Sequence, residues 1–361
     1  MNDTTPGKPL RVYNADGTWR DFGTDEFIGQ KLNYLKGWAC GMGAENLFIN
    51  ADGDIYGASC YQNGVLGNVW NDFKLPTEWQ VCGKSICSCG ADLFIPKAKT
   101  LADASVLRKS KSLPTMMENK SETLTEGIVA MERVYDANCK QIHWEIGRRC
   151  NYNCSYCWPD IHNNYERHKS YDELITATKK IQEQFIGDGK CNFIITGGEP
   201  TANSAFLDWC RYINKCGYHL SMHSNGSRLP SYYEELIKYG DLNLSAHYES
   251  WDPEKFLKVV AAVTKVKVEA DNQGVGHLEV KIMMKPNMTQ YTLDFEERLK
   301  AIPRFTDYCT WAIVPIKDIN VKFVDKNKES ENFEKIVHYD GTLLSGYTQA
   351  DYNLFGDRNG K

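Results

Sequence analysis

The sequence predicts an α/β protein in which a strand–helix repeat follows an irregular, cysteine-rich N-terminal part. Strand-like apolar runs alternate with helix-length periodic segments from about residue 139, and chemically distinctive side chains come directly after those runs. Five of the thirteen cysteines lie between residues 40 and 89. We therefore expect an N-terminal module at 1–97, a linker at 98–138 and a core at 139–320. We expect a C-terminal extension at 321–361 that packs on the N-terminal module.

The N-terminal module reads as irregular β-structure built around a short hairpin. Two strand-like runs, at 46–50 and 54–56, are joined by Ala51-Asp52-Gly53. Asp-Gly between apolar runs is a strong short-range hairpin signal. The following polar stretch, rich in Lys, Ser and Glu, predicts the linker.

The core predicts a parallel sheet connected by helices. Several of the five helical segments between its strands open with cap-type residues, such as Ser170, Asn203 and Asp252. Such alternation means a parallel sheet with right-handed crossovers, and a doubly wound sheet and a barrel share it. The six predicted strands are 141–147, 192–198, 219–226, 242–248, 278–284 and 310–316.

The distinctive polar groups follow the predicted strands, so they should meet at one edge of the sheet. Function sits at the carboxyl ends of the strands in barrels of this kind. The groups are Cys150, Cys154 and Cys157 after the first strand, Gly197, Gly198 and Glu199 after the second, Ser224 and Asn225 after the third, and Ser245, His247 and Glu249 along or after the fourth.

Composition excludes some partners and indicates a compartment. The 361-residue chain has a net charge of -5 and no run of five or six like charges, so a nucleic-acid partner is not indicated. It has no signal-peptide pattern and no long apolar run, which predicts a cytoplasmic protein without a membrane partner. Cysteines in such a protein favour metal ligation over disulfides.

The spacing C-x3-C-x2-C of Cys150, Cys154 and Cys157 predicts a soft-metal site. Clustered thiolates select zinc or an iron–sulfur cluster. Structural zinc normally takes four protein ligands, and no fourth Cys or His follows at a short interval. Three ligands on a four-iron cluster leave one iron free to bind something else, while a zinc knuckle and unrelated buried cysteines are the alternatives.

These three cysteines, with an aromatic residue before the last, and the strand-terminal Gly-Gly-Glu-Pro resemble the radical S-adenosylmethionine (SAM) superfamily over residues 139–317. The resemblance implies a partial (β/α)6, TIM-like barrel in which three cysteines hold a 4Fe–4S cluster. SAM would bind the fourth iron and be cleaved reductively to a 5′-deoxyadenosyl radical that abstracts hydrogen from substrate. The hard chemistry would then belong to the cofactors.

The resemblance also implies roles for single residues. Cys150, Cys154 and Cys157 would bind the cluster, and Lys281 would pair with the SAM carboxylate, a solvated lysine being the alternative. The other SAM contacts would be Tyr156 near the adenine, Gly197, Gly198 and Glu199 at the amino group, Ser224 and Asn225 on strand three, Ser245 at the ribose, and His247 and Glu249 at SAM or substrate.

The N-terminal cysteines predict a second inorganic site. Cys40 and Cys60 flank the predicted hairpin, and Cys82, Cys87 and Cys89 lie on a glycine-rich turn. Zinc and a second, auxiliary 4Fe–4S cluster both fit four thiolates. The stretch from Gly37 to Cys60 resembles the auxiliary-cluster modules called twitch and SPASM, which normally follow the barrel, whereas here it precedes the core.

The combined resemblance implies oxidative modification of a peptide or a small molecule, helped by the auxiliary cluster. A flavodoxin or ferredoxin would supply the electron for SAM cleavage. A nucleoside- or tRNA-modifying enzyme is the rival hypothesis. A non-catalytic metal-cluster scaffold is the third.

Overall fold

The computed structural model describes residues 10–16, 18–87, 90–104, 127–133, 139–157, 162–316 and 347–357. The chain divides into two compact units. Unit 1 comprises Met1–Ile49, Gly53–His143 and Ala177–Cys191, and unit 2 comprises Asn50–Asp52, Trp144–Thr176 and Asn192–Lys361. Within the described residues, no helix is both long and apolar enough to cross a membrane.

Unit 1 is mainly antiparallel β-structure. Its helices are α1 (Thr24–Gly29) and α2 (Gly90–Leu93). Its strands are β1 (Leu10–Asn14), β2 (Trp19–Phe22), β3 (Ala39–Cys40), β4 (Asn46–Ile49), β5 (Asp54–Tyr56), β6 (Gly67–Asn68), β7 (Gln80–Val81), β8 (Lys97–Ala98) and β9 (Ile128–Arg133). Six of them form a sheet in the order β2-β1-β9-β8-β3-β7, and β4, β5 and β6 pair antiparallel.

The predicted hairpin of unit 1 is confirmed, but the predicted linker is wrong in one part. Strands β4 and β5 pair antiparallel, with Ile49 opposite Ile55. Residues Ile128–Arg133, which we assigned to the linker, form β9 and pair antiparallel with β1. The rest of the linker from 105 to 126 and from 134 to 138 lies outside the described residues, as does Cys89.

Three elements begin in one unit and end in the other along the chain: β10 (Cys139–Glu145), α3 (Tyr171–Ile181) and β11 (Lys190–Thr196). The remaining strands belong to unit 2 and are β12 (His219–Ser224), β13 (Asp241–Ala246), β14 (Leu278–Met284), β15 (Thr310–Pro315) and β16 (Gly356–Asp357). The helices of unit 2 are α4 (Phe206–Lys215), α5 (Pro230–Leu236), α6 (Pro253–Glu269), α7 (Thr289–Lys300), α8 (Phe305–Tyr308) and α9 (Gln349–Tyr352).

The predicted alternation of strands and helices is confirmed in unit 2. Strands β11 to β15 pair in parallel in sequence order, and helices lie between them along the chain. Asp252 caps α6 as predicted, because its side chain accepts hydrogen bonds from the amides of Glu254 and Lys255. The partial barrel itself stays a prediction.

The parallel sheet of unit 2 has one apolar and one polar face. Leu220, Leu242 and Val280 are among the side chains with 0% exposure on the first face. Ser221, Asn243 and Lys281 alternate with them and are half-buried. Because successive side chains of a strand point to opposite faces, the polar set shares one face.

The described part of the C-terminal extension packs within unit 2. Strand β16 pairs antiparallel with β15. Tyr347 donates a hydrogen bond to the carbonyl of Met284, and Asp351 accepts one from Thr289. Residues 317–346 lie outside the described residues.

We expect replacement of Trp209 to destabilise unit 2 strongly. Trp209 has 0% exposure, and its ring centroid lies 5.6 Å from that of Trp144 in an edge-to-face arrangement. Trp209→Ala should lower the free energy of unfolding by about 3–5 kcal/mol, because the cavity cannot collapse fully. Urea denaturation followed by circular dichroism measures the change. Tyr171→Ala, which truncates a side chain 41% exposed, is the control, and equal effects of both would contradict the packing role.

Candidate functional site

The three cysteines of unit 2 lie on one loop directly after β10. The amide of Cys150 donates to the carbonyl of Asn163 at 2.7 Å, and the amide of Cys157 donates to the carbonyl of Cys154 at 3.1 Å. None of the three forms a disulfide. Burial raises the pKa of Cys150 to about 11, and the neighbouring thiols of Cys157 and Cys154 add to this rise. The three thiols therefore share one loop, and their binding of a common cluster stays a prediction.

The cysteine loop is tied to the residues that follow β13. Ser155 donates from its amide and its hydroxyl to the Glu249 carboxylate, at 2.5 and 2.7 Å. The Cys154 thiol lies 3.7 Å from the Ser250 hydroxyl. These contacts bring the loop to the carboxyl end of β13, which β12 and β11 separate from β10 in the same sheet.

Tyr156 and His247 form a stacked aromatic pair at this edge. Their ring centroids are 5.9 Å apart at an interplanar angle of 20°, and the Tyr156 hydroxyl lies 2.8 Å from His247 Nδ1. Burial lowers the pKa of His247 to about 4. The imidazole is therefore neutral near pH 7 and can accept the tyrosine hydrogen bond through Nδ1.

Lys285 belongs to this site although we did not predict it. Its ammonium forms an ion pair with Glu249 and lies 5.7 Å from the centre of the Tyr156 ring. Lys285 directly follows β14, so the rule that polar groups gather after the strands could have identified it. Ser250 was missed in the same way, because it lies two positions beyond the predicted fourth strand.

Gly197 and Gly198 let the turn after β11 approach the cysteine loop closely. The amide of Gly198 donates to the carbonyl of Gly147 at 2.9 Å. A Cβ on Gly198 would lie 2.3 Å from the Arg148 carbonyl oxygen, and Gly197 has a φ of +124°. Only glycine fits both conditions. The pair thus fixes the backbone beside Cys150.

Glu199 is a buried acceptor at the centre of the site. It is 3% exposed. Its carboxylate accepts from the Thr201 amide at 3.0 Å and hydroxyl at 2.6 Å, from the Ser224 hydroxyl at 2.8 Å and from the Asn225 amide at 2.6 Å. Burial raises the pKa of Glu199, and these hydrogen bonds oppose the rise. Its predicted contact with the SAM amino group stays a prediction.

Asn225 connects the Glu199 network with the cysteine loop. Its side-chain amide donates to Asn151 Oδ1 at 3.0 Å and lies 4.0 Å from Cys150 Sγ. Ser224 also lies 2.9 Å from the Tyr233 hydroxyl. Both residues therefore stand beside the cysteine loop, where we expected them, and their contact with SAM stays a prediction.

Ser245 and Lys281 lie opposite each other on the polar face of the sheet. They are paired across β13 and β14. The Lys281 ammonium lies 3.4 Å from the Glu279 carboxylate, and its side chain is 30% exposed. Both the SAM-binding and the solvated interpretation of Lys281 remain compatible with this position.

A cavity of about 640 Å³ lies next to Cys150. Three basic side chains line it, those of Arg149, His168 and Arg228, together with Asn151 and Asn153. Burial lowers the pKa of His168, and the charges of Arg149 and Arg228 lower it further. Arg228 is held in place because it donates to the carbonyls of Thr201 and Ala202 at 2.7 and 3.0 Å. The arrangement suits an anionic group.

Unit 1 gathers four of the N-terminal cysteines. Cys40 and Cys82 are buried in one cluster, and Cys60 packs against it. Burial raises the pKa of Cys87 to about 12, and Asp92, Cys40 and Cys82 contribute to the rise while Lys97 opposes it. Four of the five predicted cysteines, Cys40, Cys60, Cys82 and Cys87, therefore lie near one another, whereas Cys89 lies outside the described residues. Their role as metal ligands stays a prediction.

The twelve cysteines that the structure describes form no disulfides. In the same residues, no group of three or more His, Cys, Asp or Glu side chains is arranged to hold a single metal ion. Binding of a metal or a cluster by either group of thiols therefore stays a prediction.

The comparisons with known proteins relate part of the chain to one family. Residues 144–272, less than half of the chain, match the model of the Radical SAM superfamily. Members of this superfamily are iron–sulfur enzymes, so the prediction of an enzyme is confirmed. A domain of this family implies a 4Fe–4S cluster and SAM, and thiolates such as those of the cysteine loop are ligands that suit such a cluster.

Curated relatives share about a third to a half of their length with this chain. GTP 3′,8-cyclase of Haemophilus ducreyi is 24% identical over 204 residues, which are 54% of this chain and 56% of the relative. GTP 3′,8-cyclase of Pseudomonas putida is 28% identical over 144 residues, or 39% and 40% of the two chains. That of Crocosphaera subtropica is 31% identical over 118 residues, or 31% and 34%.

Solved structures show only a distant likeness. SuiB of Streptococcus suis bound to S-adenosylmethionine is 10% identical and superposes with a TM-score of 0.38. The superposed part covers 50% of this chain and 41% of the SuiB chain. SuiB bound to the precursor peptide SuiA is also 10% identical, covers 60% and 51%, and gives 0.38. Scores this low carry no argument about fold or substrate.

We expect Glu199→Gln to disturb the cysteine loop. The amide NH2 of glutamine would face one of the four donors and leave a buried donor unsatisfied, at a cost of about 1–3 kcal/mol. Asn225 would then lose its position beside Cys150. Iron and sulfide per chain after anaerobic reconstitution should fall, and the urea midpoint should drop. The control is Glu254→Gln, which removes an exposed carboxylate paired with Arg298; equal iron contents and midpoints would refute this role of Glu199.

Proposed function

We propose that the protein is a radical SAM enzyme that cleaves SAM reductively and oxidatively modifies a peptide or small-molecule substrate. The observation that carries this proposal is the cysteine loop, which forms no disulfide and is held against the residues after β13 by Ser155, Glu249 and Ser250. If bound there, a 4Fe–4S cluster and SAM would supply the radical chemistry that removes a hydrogen atom from substrate. Cys150, Cys154 and Cys157 are the proposed cluster ligands.

In this proposal, the protein's own residues orient and shield the cofactors. Tyr156 and His247 form a stacked aromatic pair, and the imidazole of His247 is neutral near pH 7. Glu249 and Lys285 form an ion pair beside it, so these four side chains together carry no net charge. Gly197, Gly198 and the Glu199 network hold the backbone and Asn225 next to Cys150. A fixed environment of this kind positions reactants and excludes water.

The proposal assigns a second cluster to unit 1. Its ligands would come from Cys40, Cys60, Cys82 and Cys87, in the manner of a twitch or SPASM module, and its part would be to take up an electron or bind substrate. Zinc is the alternative occupant. The electron for SAM cleavage would come from a cytoplasmic flavodoxin or ferredoxin, in a protein without a membrane partner.

Two cysteine variants separate the two sites. We expect Cys154→Ala to abolish 5′-deoxyadenosine formation with dithionite and SAM, while the unit 1 cluster still assembles. Cys60→Ala should do the reverse, sparing SAM cleavage and stopping product formation. Iron per chain should fall from about eight to about four in both. Loss of SAM cleavage in both variants would contradict the separation, and a wild-type chain that makes no 5′-deoxyadenosine would instead be a non-catalytic scaffold.

A phosphorylated nucleoside is a second candidate substrate, and the cavity beside Cys150 favours it. Arg149, His168 and Arg228 line this cavity, and two of them are fixed cations. The curated relatives are named GTP 3′,8-cyclase, and GTP carries phosphates of the kind that arginine binds well.

We expect Arg149→Gln to weaken binding of GTP if this second candidate is right. Loss of a charge-assisted hydrogen bond costs about 1.5–3 kcal/mol, which is roughly a ten- to hundredfold increase in Kd. Isothermal titration of GTP against guanosine measures the phosphate contribution. Arg298→Gln, on the exposed surface of unit 2, should leave Kd unchanged. Equal affinities for GTP and guanosine, or no effect of Arg149→Gln, would exclude a phosphorylated substrate at this cavity.

A further inference from the structure

Lys97 is a fully buried lysine in unit 1 that the sequence did not single out. Its side chain is 1% exposed. The ammonium donates to the carbonyls of Asp92 at 2.5 Å, Ile95 at 2.9 Å and Leu93 at 3.5 Å. A buried charge is costly unless it has a partner, and neutral carbonyls compensate only part of that cost. Lys97 therefore needs a further negative group nearby.

The candidates for that negative group are the Asp92 carboxylate and the neighbouring thiols. Lys97 lies directly opposite Cys40 in the pairing of β8 with β3, and directly paired side chains of antiparallel strands are close neighbours. Cys87, Cys40 and Cys82 all interact electrostatically with the Lys97 ammonium. The cation thus stands among three of the four thiols that we propose as ligands.

Asp92 places a buried carboxylate among the same thiols. The residue is 4% exposed, and its Oδ1 accepts from the amide of Ser59 at 3.0 Å. The carboxylate interacts electrostatically with Cys60, Cys87 and Cys40, and also with the Lys97 ammonium. The thiols of unit 1 therefore have one buried charge of each sign beside them.

We propose that Lys97 is the fixed counter-charge of the iron–sulfur cluster held by Cys40, Cys60, Cys82 and Cys87, and that it raises the reduction potential of that cluster, while Asp92 lowers it. This rests on the proposed assignment of an auxiliary cluster to unit 1. Lys97 is a positioning residue in this role, because its charge acts on the cluster through space.

The sign of each effect follows from electrostatics. Reduction adds one electron to a group that its thiolate ligands already make negative. A nearby cation stabilises the reduced state more than the oxidised state, and a nearby carboxylate does the opposite. Burial strengthens both effects, because little water is present to screen them.

The test is a redox titration of the unit 1 cluster followed by electron paramagnetic resonance. The full-length chain carries Cys154→Ala, so that only this cluster assembles. Adding Lys97→Met removes the charge but keeps an apolar stem of similar length. We expect the ratio of reduced to oxidised cluster at a fixed potential to fall at least tenfold, a shift of about 59 mV for one electron.

Three further variants make the test specific. Asp92→Asn should shift the potential upward, and Lys97→Arg, which keeps the charge, should restore it nearly to the starting value. Lys99→Met removes an exposed lysine two residues away and should change nothing, because solvent screens its charge. A role of Lys97 in packing alone would not produce opposite shifts at Lys97 and Asp92.

Each outcome decides one question. Unchanged potentials, or shifts in the same direction for Lys97→Met and Asp92→Asn, would overturn the inference while leaving the auxiliary cluster intact. If Lys97→Met loads no iron, the nearly isosteric Asp92→Asn still tests the sign, and no upward shift there would refute the inference. If the Cys154→Ala chain holds zinc or no metal, the auxiliary cluster of the proposed function fails, and the inference fails with it.

Discussion

The buried carboxylate of Glu199 is the interaction on which the geometry around the cysteine loop depends. It accepts hydrogen bonds from the turn after β11 and from the end of β12, through Thr201, Ser224 and Asn225. Asn225 then reaches Asn151 and the vicinity of Cys150. Without these hydrogen bonds, the cysteine loop would become ordered only on binding a metal or cluster, and binding would then carry the entropy cost of ordering the loop. One carboxylate with four donors orders the surrounding backbone in advance, which lowers the entropy cost of binding.

The division of the sheet into two faces explains why this carboxyl edge is available for chemistry. Leu220, Leu242 and Val280 have 0% exposure on the apolar face, and their burial stabilises the sheet. The half-buried polar side chains lie on the opposite face and take no part in this burial. The same separation places His247 and Glu249 beyond the end of β13, where the backbone leaves the hydrogen-bonded ladder and its side chains can meet the cysteine loop.

The sequence predicted the elements of unit 2 and the members of its site because both depend on local patterns. Alternation located β11 to β15, and cysteine spacing located the loop. Strand β9 was missed, because Ile128–Arg133 shows no clear alternation and its partner β1 lies far away in the sequence. Lys97 and Asp92 were missed for a related reason: their importance comes from burial among thiols of other segments. Burial of a charge has no signature in spacing or composition.

The two thiol groups have charged neighbours of both signs. Among the described residues, the buried carboxylate of Glu199 interacts with Cys150 in unit 2, and Arg149 and Arg228 line the cavity beside the same thiol. In unit 1, the buried ammonium of Lys97 and the buried carboxylate of Asp92 both interact with Cys40 and Cys87. Positive surroundings favour retention of an electron on a cluster, and negative surroundings favour its loss. For the cluster proposed in unit 1, the balance between the Lys97 and Asp92 charges would therefore set the reduction potential.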